Sequence, residues 1–83
     1  MKVKVLFFAG LKDIAGTDSL QMEINDGSKL AHLLDLIVGK VPALNEVIGK
    51  RKVFISVNQE MADKEDILKD GDEVGLLPPF SGG

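Results

Sequence analysis

The sequence predicts an α+β domain in which a small sheet packs against one main helix. Three observations lead to this prediction. Strand-like alternation appears near both ends of the chain, one segment between them has a single apolar helical face, and turn residues separate the segments. The chain has 83 residues, 45% of them hydrophobic, which suits one domain with a modest core.

The first strand is predicted over Lys2–Phe8, where apolar and other residues alternate. The side predicted to be buried consists of Val3, Val5 and Phe7. Gly10–Asp18 follows, and two glycines within it, Gly10 and Gly16, bound about one helical turn. Alternation returns at Leu20–Ile24, so the first part of the chain is predicted to be a β-hairpin with a long, partly helical connection.

The main helix is predicted to follow the turn residues Asn25–Ser28, with Ser28 as its N-cap. Its apolar residues recur at spacings of three and four and share one face: Leu30, Leu33, Leu34, Ile37 and Val38. Gly39 is predicted to stop the helix. His32 falls away from the apolar face, so we expect it to be exposed.

The second half of the chain is predicted to supply the remaining strands. Pro42–Ile48 is typical of a short helix with proline at its first position, and Val53–Val57 is typical of a third strand. Asn58–Ala62 favours a turn with a very short fourth strand. The tight turn Asp70–Asp72 precedes a last strand, Glu73–Leu77. A parallel pairing of the first and last strands would let both contribute to one core.

Composition argues against several classes of function. Without cysteine there is no disulfide, thiolate nucleophile or thiolate metal ligand. No ligand pattern surrounds His32, and a net charge of −3 without a basic stripe argues against nucleic-acid binding. The longest apolar stretch, Val5–Ala9, is far too short for a membrane span, and no signal peptide is visible. We therefore expect a cytoplasmic, non-membrane protein that is not an enzyme on its own.

Four segments are similar, in order, to the small subunits of molybdopterin synthase, the MoaD family. They are "VLFFAGLKDIAGTD" (residues 5–18), "VNQEMA" (57–62), "LKDGDEVGLLPP" (68–79) and the final Gly82 and Gly83. The ending, from the "DGDEV" turn through the paired prolines to the two glycines, is the most specific part. The helix and residues 40–52 show little of the family pattern. The resemblance implies a ubiquitin-like β-grasp fold, with a mixed sheet on one main helix plus short helical turns.

The resemblance also implies that the chain is a sulfur carrier. A ubiquitin-activating-type adenylyltransferase would adenylate the C-terminal carboxylate of Gly83 with ATP, and a persulfide would convert the transient acyl-adenylate to a thiocarboxylate. The large subunit of a heterotetrameric molybdopterin synthase would then pass this sulfur to cyclic pyranopterin monophosphate. No cofactor or metal is expected to stay bound to the chain.

We expect residues 1–77 to form the domain and residues 78–83 to form a flexible C-terminal tail. Pro78 and Pro79 cannot donate ladder hydrogen bonds, so they end the last strand and favour an extended chain. At about 3.1–3.5 Å per residue the tail would reach roughly 20 Å, enough to enter a partner's active site. Gly82 has no Cβ atom and would leave the terminal carboxylate accessible.

Partner binding is predicted on an apolar patch near the tail. Phe8 and Leu77 lie on the strand faces opposite the buried ones, and Met61 follows the third strand. Lys12 would lie at the rim, and these positions match the family's partner-facing surface. The tail residues expected to touch a partner are Pro78, Pro79, Phe80 and Ser81. In a competing interpretation a loop of the chain covers the patch, and this burial is a stronger alternative for Met61 than for Phe8.

Other functions remain open at this point. A ubiquitin-like modifier joined to lysines through Gly83 would use the same adenylation, although the preceding Pro-Pro-Phe-Ser lacks the basic residues of ubiquitin. A thiamine-pathway sulfur carrier shares the fold and chemistry, but such chains are usually shorter and lack the paired prolines. An interaction domain without carrier chemistry leaves the specific ending unexplained.

Overall fold

A computed structural model describes residues 1–49 and 53–78. In these residues one face of a five-stranded sheet packs against the helices. The strands are β1 (Lys2–Phe7), β2 (Ser19–Glu23), β3 (Phe54–Val57), β4 (Glu60–Met61) and β5 (Glu73–Leu77), and their order across the sheet is β2-β1-β5-β3-β4. The helices are α1 (Gly10–Ala15), α2 (Leu30–Lys40), a 3₁₀ turn (Pro42–Leu44) and α3 (Asn45–Gly49).

The two chain-distant strands β1 and β5 lie side by side at the centre of the sheet. They are parallel, with Val5 opposite Val74, and this confirms the predicted pairing of the first and last strands. β1 is antiparallel to β2 and β5 is antiparallel to β3, so the sheet is mixed. The inward residues of β1 and β5 are all at most 1% exposed: Val3, Val5, Phe7, Val74 and Leu76.

The main helix covers the inner face of the sheet as its apolar stripe predicts. Leu30, Leu33, Leu34 and Ile37 are buried, and Val38 is half-buried. The predicted cap at Ser28 is wrong: Lys29 occupies the N-cap position, and Ser28 Oγ donates to the Asn25 carbonyl at 2.7 Å. The predicted stop at Gly39 is also wrong, because α2 continues through Lys40.

A loop supplies the cap that a side chain was expected to supply. The first two amide groups of α2, on Leu30 and Ala31, donate to the carbonyls of Asp66 and Lys64, each at 2.9 Å. These partners satisfy donors that a helix start leaves free. Nearby, Lys29 Nζ donates to Glu65 at 2.7 Å, and this bond and the carboxylate charge raise the pKa of Lys29 above its ordinary value.

A buried carboxylate fixes the start of β5 against the end of β3. Asp72 is 9% exposed, and its carboxylate accepts from Asn58 Nδ2 at 2.9 Å and from the Lys69 amide at 2.8 Å. The Asn58 side-chain oxygen in turn accepts from the Glu73 amide at 3.0 Å. These bonds join the turn after β3 to the turn before β5. They therefore hold the β3–β5 register, in which Leu77 lies opposite Phe54 at the end of the sheet.

Candidate docking face and tail exit

The outer face of the sheet, opposite the helices, is divided into an apolar half and a polar half. Strand register places Leu6, Gly75, Ser56 and Met61 in one row across four strands. The next row toward the end of β5 contains Phe54, which pairs with Leu77, and beside them the Phe8 amide donates to Leu76 at 3.2 Å. We call the apolar half the docking face, and its members are Leu6, Phe8, Phe54, Met61 and Leu77.

The row on the other side of Leu6 is polar. Lys4 pairs with Gln21 on β2 and with Glu73 on β5, so a cation, an amide and a carboxylate occupy neighbouring positions. This arrangement places the apolar residues at one end of the sheet only, which is the end from which the tail leaves. A partner that covers the docking face therefore also lies beside Pro78, the first residue of the predicted tail.

Three members of the docking face are open to solvent. Met61 is 69% exposed, Phe54 is 48% exposed and Phe8 is 39% exposed, whereas Leu6 and Leu77 are half-buried. The competing interpretation of a covered patch was most serious for Met61, and Met61 is the most exposed of them. Large apolar side chains grouped on one exposed surface are typical of an interaction site.

Lys12 lies on α1, which begins at Gly10, shortly after the docking-face residue Phe8. The Leu11 amide donates to the Phe8 carbonyl at 3.0 Å, and Leu11 is buried, so α1 is fixed to the end of β1. Lys12 itself is exposed. It thus offers a cation close in the chain to the docking face, and its predicted contact with a partner stays a prediction.

The predicted tail begins where β5 ends. Leu77 is the last residue of β5, and Pro78 follows it half-buried and outside the strand. The predicted tail roles of Pro79, Phe80, Ser81, Gly82 and Gly83 lie outside the described residues. Those roles, and the division between residues 1–77 and 78–83, remain predictions.

Sequence reasoning missed Phe54, although the pattern contained the signal. Alternation along the predicted third strand puts Val53, Ile55 and Val57 on one side, and it therefore places Phe54 on the other side. What the pattern could not supply was the neighbour. Only the β3–β5 register shows that Phe54 lies opposite Leu77, next to the tail exit.

Other kinds of site find little support in the part of the chain that the structure describes. Residues 1–49 and 53–78 contain no group of three His, Asp or Glu side chains placed to hold a metal ion. His32 is exposed on α2, as predicted. None of the described helices has the length and apolar character needed to cross a membrane.

Comparison with known proteins decides the family. The ThiS family model matches residues 5–83, which is nearly the whole chain. The chain belongs to the ThiS family. This ThiS-family chain is 44% identical to the molybdopterin synthase sulfur carrier subunit of Chlamydomonas reinhardtii, and the match covers 100% of both chains.

Two solved structures have a fold similar to that of this ThiS-family chain. The crystal structure of SAMP1 from Haloferax volcanii matches with a TM-score of 0.90 at 29% identity, covering 100% of both chains. A complex of subunits 1 and 2 of the molybdopterin-converting factor from Helicobacter pylori matches with a TM-score of 0.72 at 32% identity, again over 100% of both chains. These neighbours confirm the ubiquitin-like β-grasp fold and the predicted resemblance to molybdopterin synthase small subunits.

Proposed function

We propose that this chain is the sulfur carrier subunit of a molybdopterin synthase. The observation that supports this most strongly is the 44% identity to the Chlamydomonas subunit of that name over the full length of both chains. In this proposal the group that carries sulfur is the carboxylate of Gly83, which follows Gly82.

Loading of the carrier needs partner enzymes, because a carboxylate is a poor electrophile. In the proposed first step a carboxylate oxygen of Gly83 attacks the α-phosphorus of ATP, and pyrophosphate leaves. The terminal sulfur of a partner's persulfide then attacks the acyl carbon and displaces AMP. A thiol cleaves the resulting disulfide and releases the thiocarboxylate. The adenylyltransferase that activates Gly83 is part of this proposal.

Delivery of the sulfur uses the second partner. The thiocarboxylate sulfur attacks a side-chain carbon of cyclic pyranopterin monophosphate on the large synthase subunit and displaces an oxygen substituent from that carbon. Water then hydrolyses the acyl–sulfur bond, which leaves the sulfur on the pterin and returns the Gly83 carboxylate. The product, molybdopterin, contains a dithiolene with two sulfur atoms. Two loaded carriers are therefore spent for each molecule of molybdopterin. The Helicobacter pylori complex of subunits 1 and 2 supports a partner of this kind.

The docking face fits the need to bind two partners in turn. Its exposed Phe8, Phe54 and Met61 supply apolar area, and aromatic and Met residues are enriched in protein interfaces. A face beside the tail exit lets one binding event position Gly83 as well. Gly83 itself needs no catalytic side chain on this chain, because each chemical step takes place in a partner's site.

The experiment that tests the proposal is reconstitution with the large subunit, cyclic pyranopterin monophosphate and thiocarboxylated chain. We expect molybdopterin to form with the parent and not with a chain that lacks Gly82-Gly83, although both should unfold at the same temperature. Molybdopterin formed by the shortened chain would refute the carrier proposal.

Charged substitutions on the docking face test the partner contact. Met61→Glu should weaken binding of the large subunit without unfolding the domain, because Met61 is 69% exposed. Phe8→Glu and Leu77→Glu should do the same. Ile67→Glu is the matched control, because Ile67 is 61% exposed but lies on the loop beside α2. Equal loss of binding in Ile67→Glu and Met61→Glu would contradict the assignment of the docking face.

A protein modifier is the second candidate function. It is favoured by the fold match to Haloferax volcanii SAMP1, and by 33% identity to small archaeal modifier protein 1 from that organism over 92% of this chain. A modifier would form isopeptide bonds between Gly83 and lysines of other proteins. High-mass conjugates in cell extracts, lost when Gly83 is removed, would favour this function over sulfur transfer to a pterin.

A further inference from the structure

Gly75 lies in the middle of the outer face, at a position where the backbone does not require glycine. It belongs to β5, between Leu6 of β1 and Ser56 of β3, and it is buried. Glycines with positive φ in the described residues are Gly16, Gly27 and Gly71, so Gly75 has a conformation open to any residue. Glycine within a strand also loses more conformational entropy than alanine. The reason for glycine here must lie in the space above it.

That space is filled by side chains of the docking face. A Cβ atom built on Gly75 would lie 2.7 Å from Ser56 Oγ and 3.1 Å from Phe8 Cε2, with Leu77 Cδ1 at 3.7 Å. A separation below 3.0 Å is one that real Cβ atoms essentially never show. Among the glycines that the structure describes, Gly75 alone would meet such a contact. The Phe8 ring therefore reaches over the β5 backbone into room that the missing side chain leaves.

We propose that Gly75 is a positioning residue for partner binding. Its missing side chain forms a notch, bounded by Phe8, Ser56 and Leu77, in which the Phe8 ring is seated low and beside Leu77. The size of the residue at position 75 then sets how far the Phe8 ring stands out from the sheet. That height decides which partner surface fits the docking face. The identity of the partner rests on the proposed function, whereas the notch itself does not.

Enlarging residue 75 should weaken binding while leaving stability nearly unchanged. Alanine or valine suits a strand better than glycine does, so neither Gly75→Ala nor Gly75→Val is expected to lower the thermal midpoint much. Ser56 Oγ can rotate away from a new Cβ atom, but the Phe8 ring must move outward. We expect Gly75→Val to weaken binding of the large synthase subunit on the order of tenfold, as loss of an aromatic anchor does, and Gly75→Ala to weaken it less.

Two variants separate the notch from other effects. Gly39→Ala is the matched control, because a Cβ atom at exposed Gly39 meets nothing within 4 Å, and its binding should equal that of the parent. Gly75→Ala combined with Ser56→Ala removes the shortest contact and leaves the 3.1 Å contact to Phe8. In this double variant the remaining loss of binding reports on Phe8, because the third contact, to Leu77 Cδ1, is at an ordinary 3.7 Å.

The deciding experiment is a double-mutant cycle, read by calorimetry with the large synthase subunit and by NMR of the free chain. In the Phe8→Ala background, Gly75→Val should change affinity by less than about twofold, because the ring through which it acts is gone. A tenfold loss in both backgrounds would overturn the proposal, since residue 75 would then meet the partner directly. Unchanged affinity in Gly75→Val and Gly75→Ala would overturn it as well.

The NMR measurement keeps this inference separate from the proposed function. In the free parent chain the Phe8 ring protons should show nuclear Overhauser effects to a Gly75 Hα and to a Leu77 methyl group. Gly75→Val should lose the Phe8–Leu77 effect while far-ultraviolet circular dichroism stays unchanged. Absence of both effects in the parent refutes the notch, whatever the partner. Failure of the parent to bind the large subunit, with both effects present, refutes the proposed partner and leaves the notch standing.

Discussion

Replacing Leu76 and Leu77 one at a time by alanine should separate folding from partner binding, because the two neighbours lie on opposite faces of β5. Leu76 is 0% exposed and belongs to the core beneath the sheet, whereas Leu77 is half-buried on the docking face. The same chemical change at adjacent positions thus removes either a core side chain or an interface side chain. Each variant serves as the control for the other.

The expected magnitudes follow from this burial. Leu76→Ala leaves a cavity in the core and should cost about 3 kcal/mol of unfolding free energy. For a domain of this size that loss lowers the thermal midpoint by about 12–24 °C. Leu77→Ala removes a side chain that is only partly buried and should cost about 1 kcal/mol. For binding the order reverses, and Leu77→Ala should weaken the large-subunit complex about tenfold, or about 1.4 kcal/mol.

The assay must suit a chain without tryptophan or tyrosine. Urea unfolding is therefore followed by far-ultraviolet circular dichroism, and binding is measured by calorimetry at a temperature where both variants are folded. Equal destabilisation by the two variants would refute the assignment of Leu76 and Leu77 to opposite faces. A greater loss of affinity in folded Leu76→Ala than in Leu77→Ala would refute the docking face.

Two further predictions concern the turns that hold β5 in register. Asp72→Ala leaves the Lys69 amide and the Asn58 side chain without their acceptor and should cost about 1–3 kcal/mol in urea unfolding. Asn58→Ala should then add little in the Asp72→Ala background, and fully additive losses would mean that Asp72 and Asn58 act independently. Gly71→Ala should destabilise the domain by about 1 kcal/mol because φ is 85° there, whereas Gly39→Ala should stabilise it by a similar amount in a helix. Equal thermal midpoints for the two glycine variants would contradict this backbone argument.

The arrangement of elements could be predicted from the sequence because each strand and helix repeats its own pattern. The alternation of Glu73–Leu77 predicted β5 with the bounds that the structure has, and the stripe on α2 predicted its buried face. The ends of α2 were predicted wrongly for a physical reason. Its first amides are satisfied by carbonyls of a loop more than thirty residues later, at Lys64 and Asp66, and no local pattern around Ser28 encodes that contact.

The candidate site could be predicted in part. Alternation places Phe8 and Leu77 on the outer sides of their strands, but only register places Phe54 opposite Leu77 and Met61 in one row with Ser56. The notch at Gly75 depends on where the Phe8 ring lies across two neighbouring strands. A local pattern around Gly75 contains no information on that distance, so the sequence alone gave no role to this glycine.

The central claim is that Gly83 carries sulfur, and intact-protein mass spectrometry with C-terminal fragmentation tests it most directly. The chain is incubated with ATP, the activating adenylyltransferase and a persulfide donor, beside a sample without ATP. The proposed chemistry predicts a mass increase equal to the exchange of one oxygen for one sulfur, located on Gly83 and dependent on ATP. An unchanged C-terminus under these conditions, or Gly83 found only in isopeptide linkage to lysines, would contradict the claim.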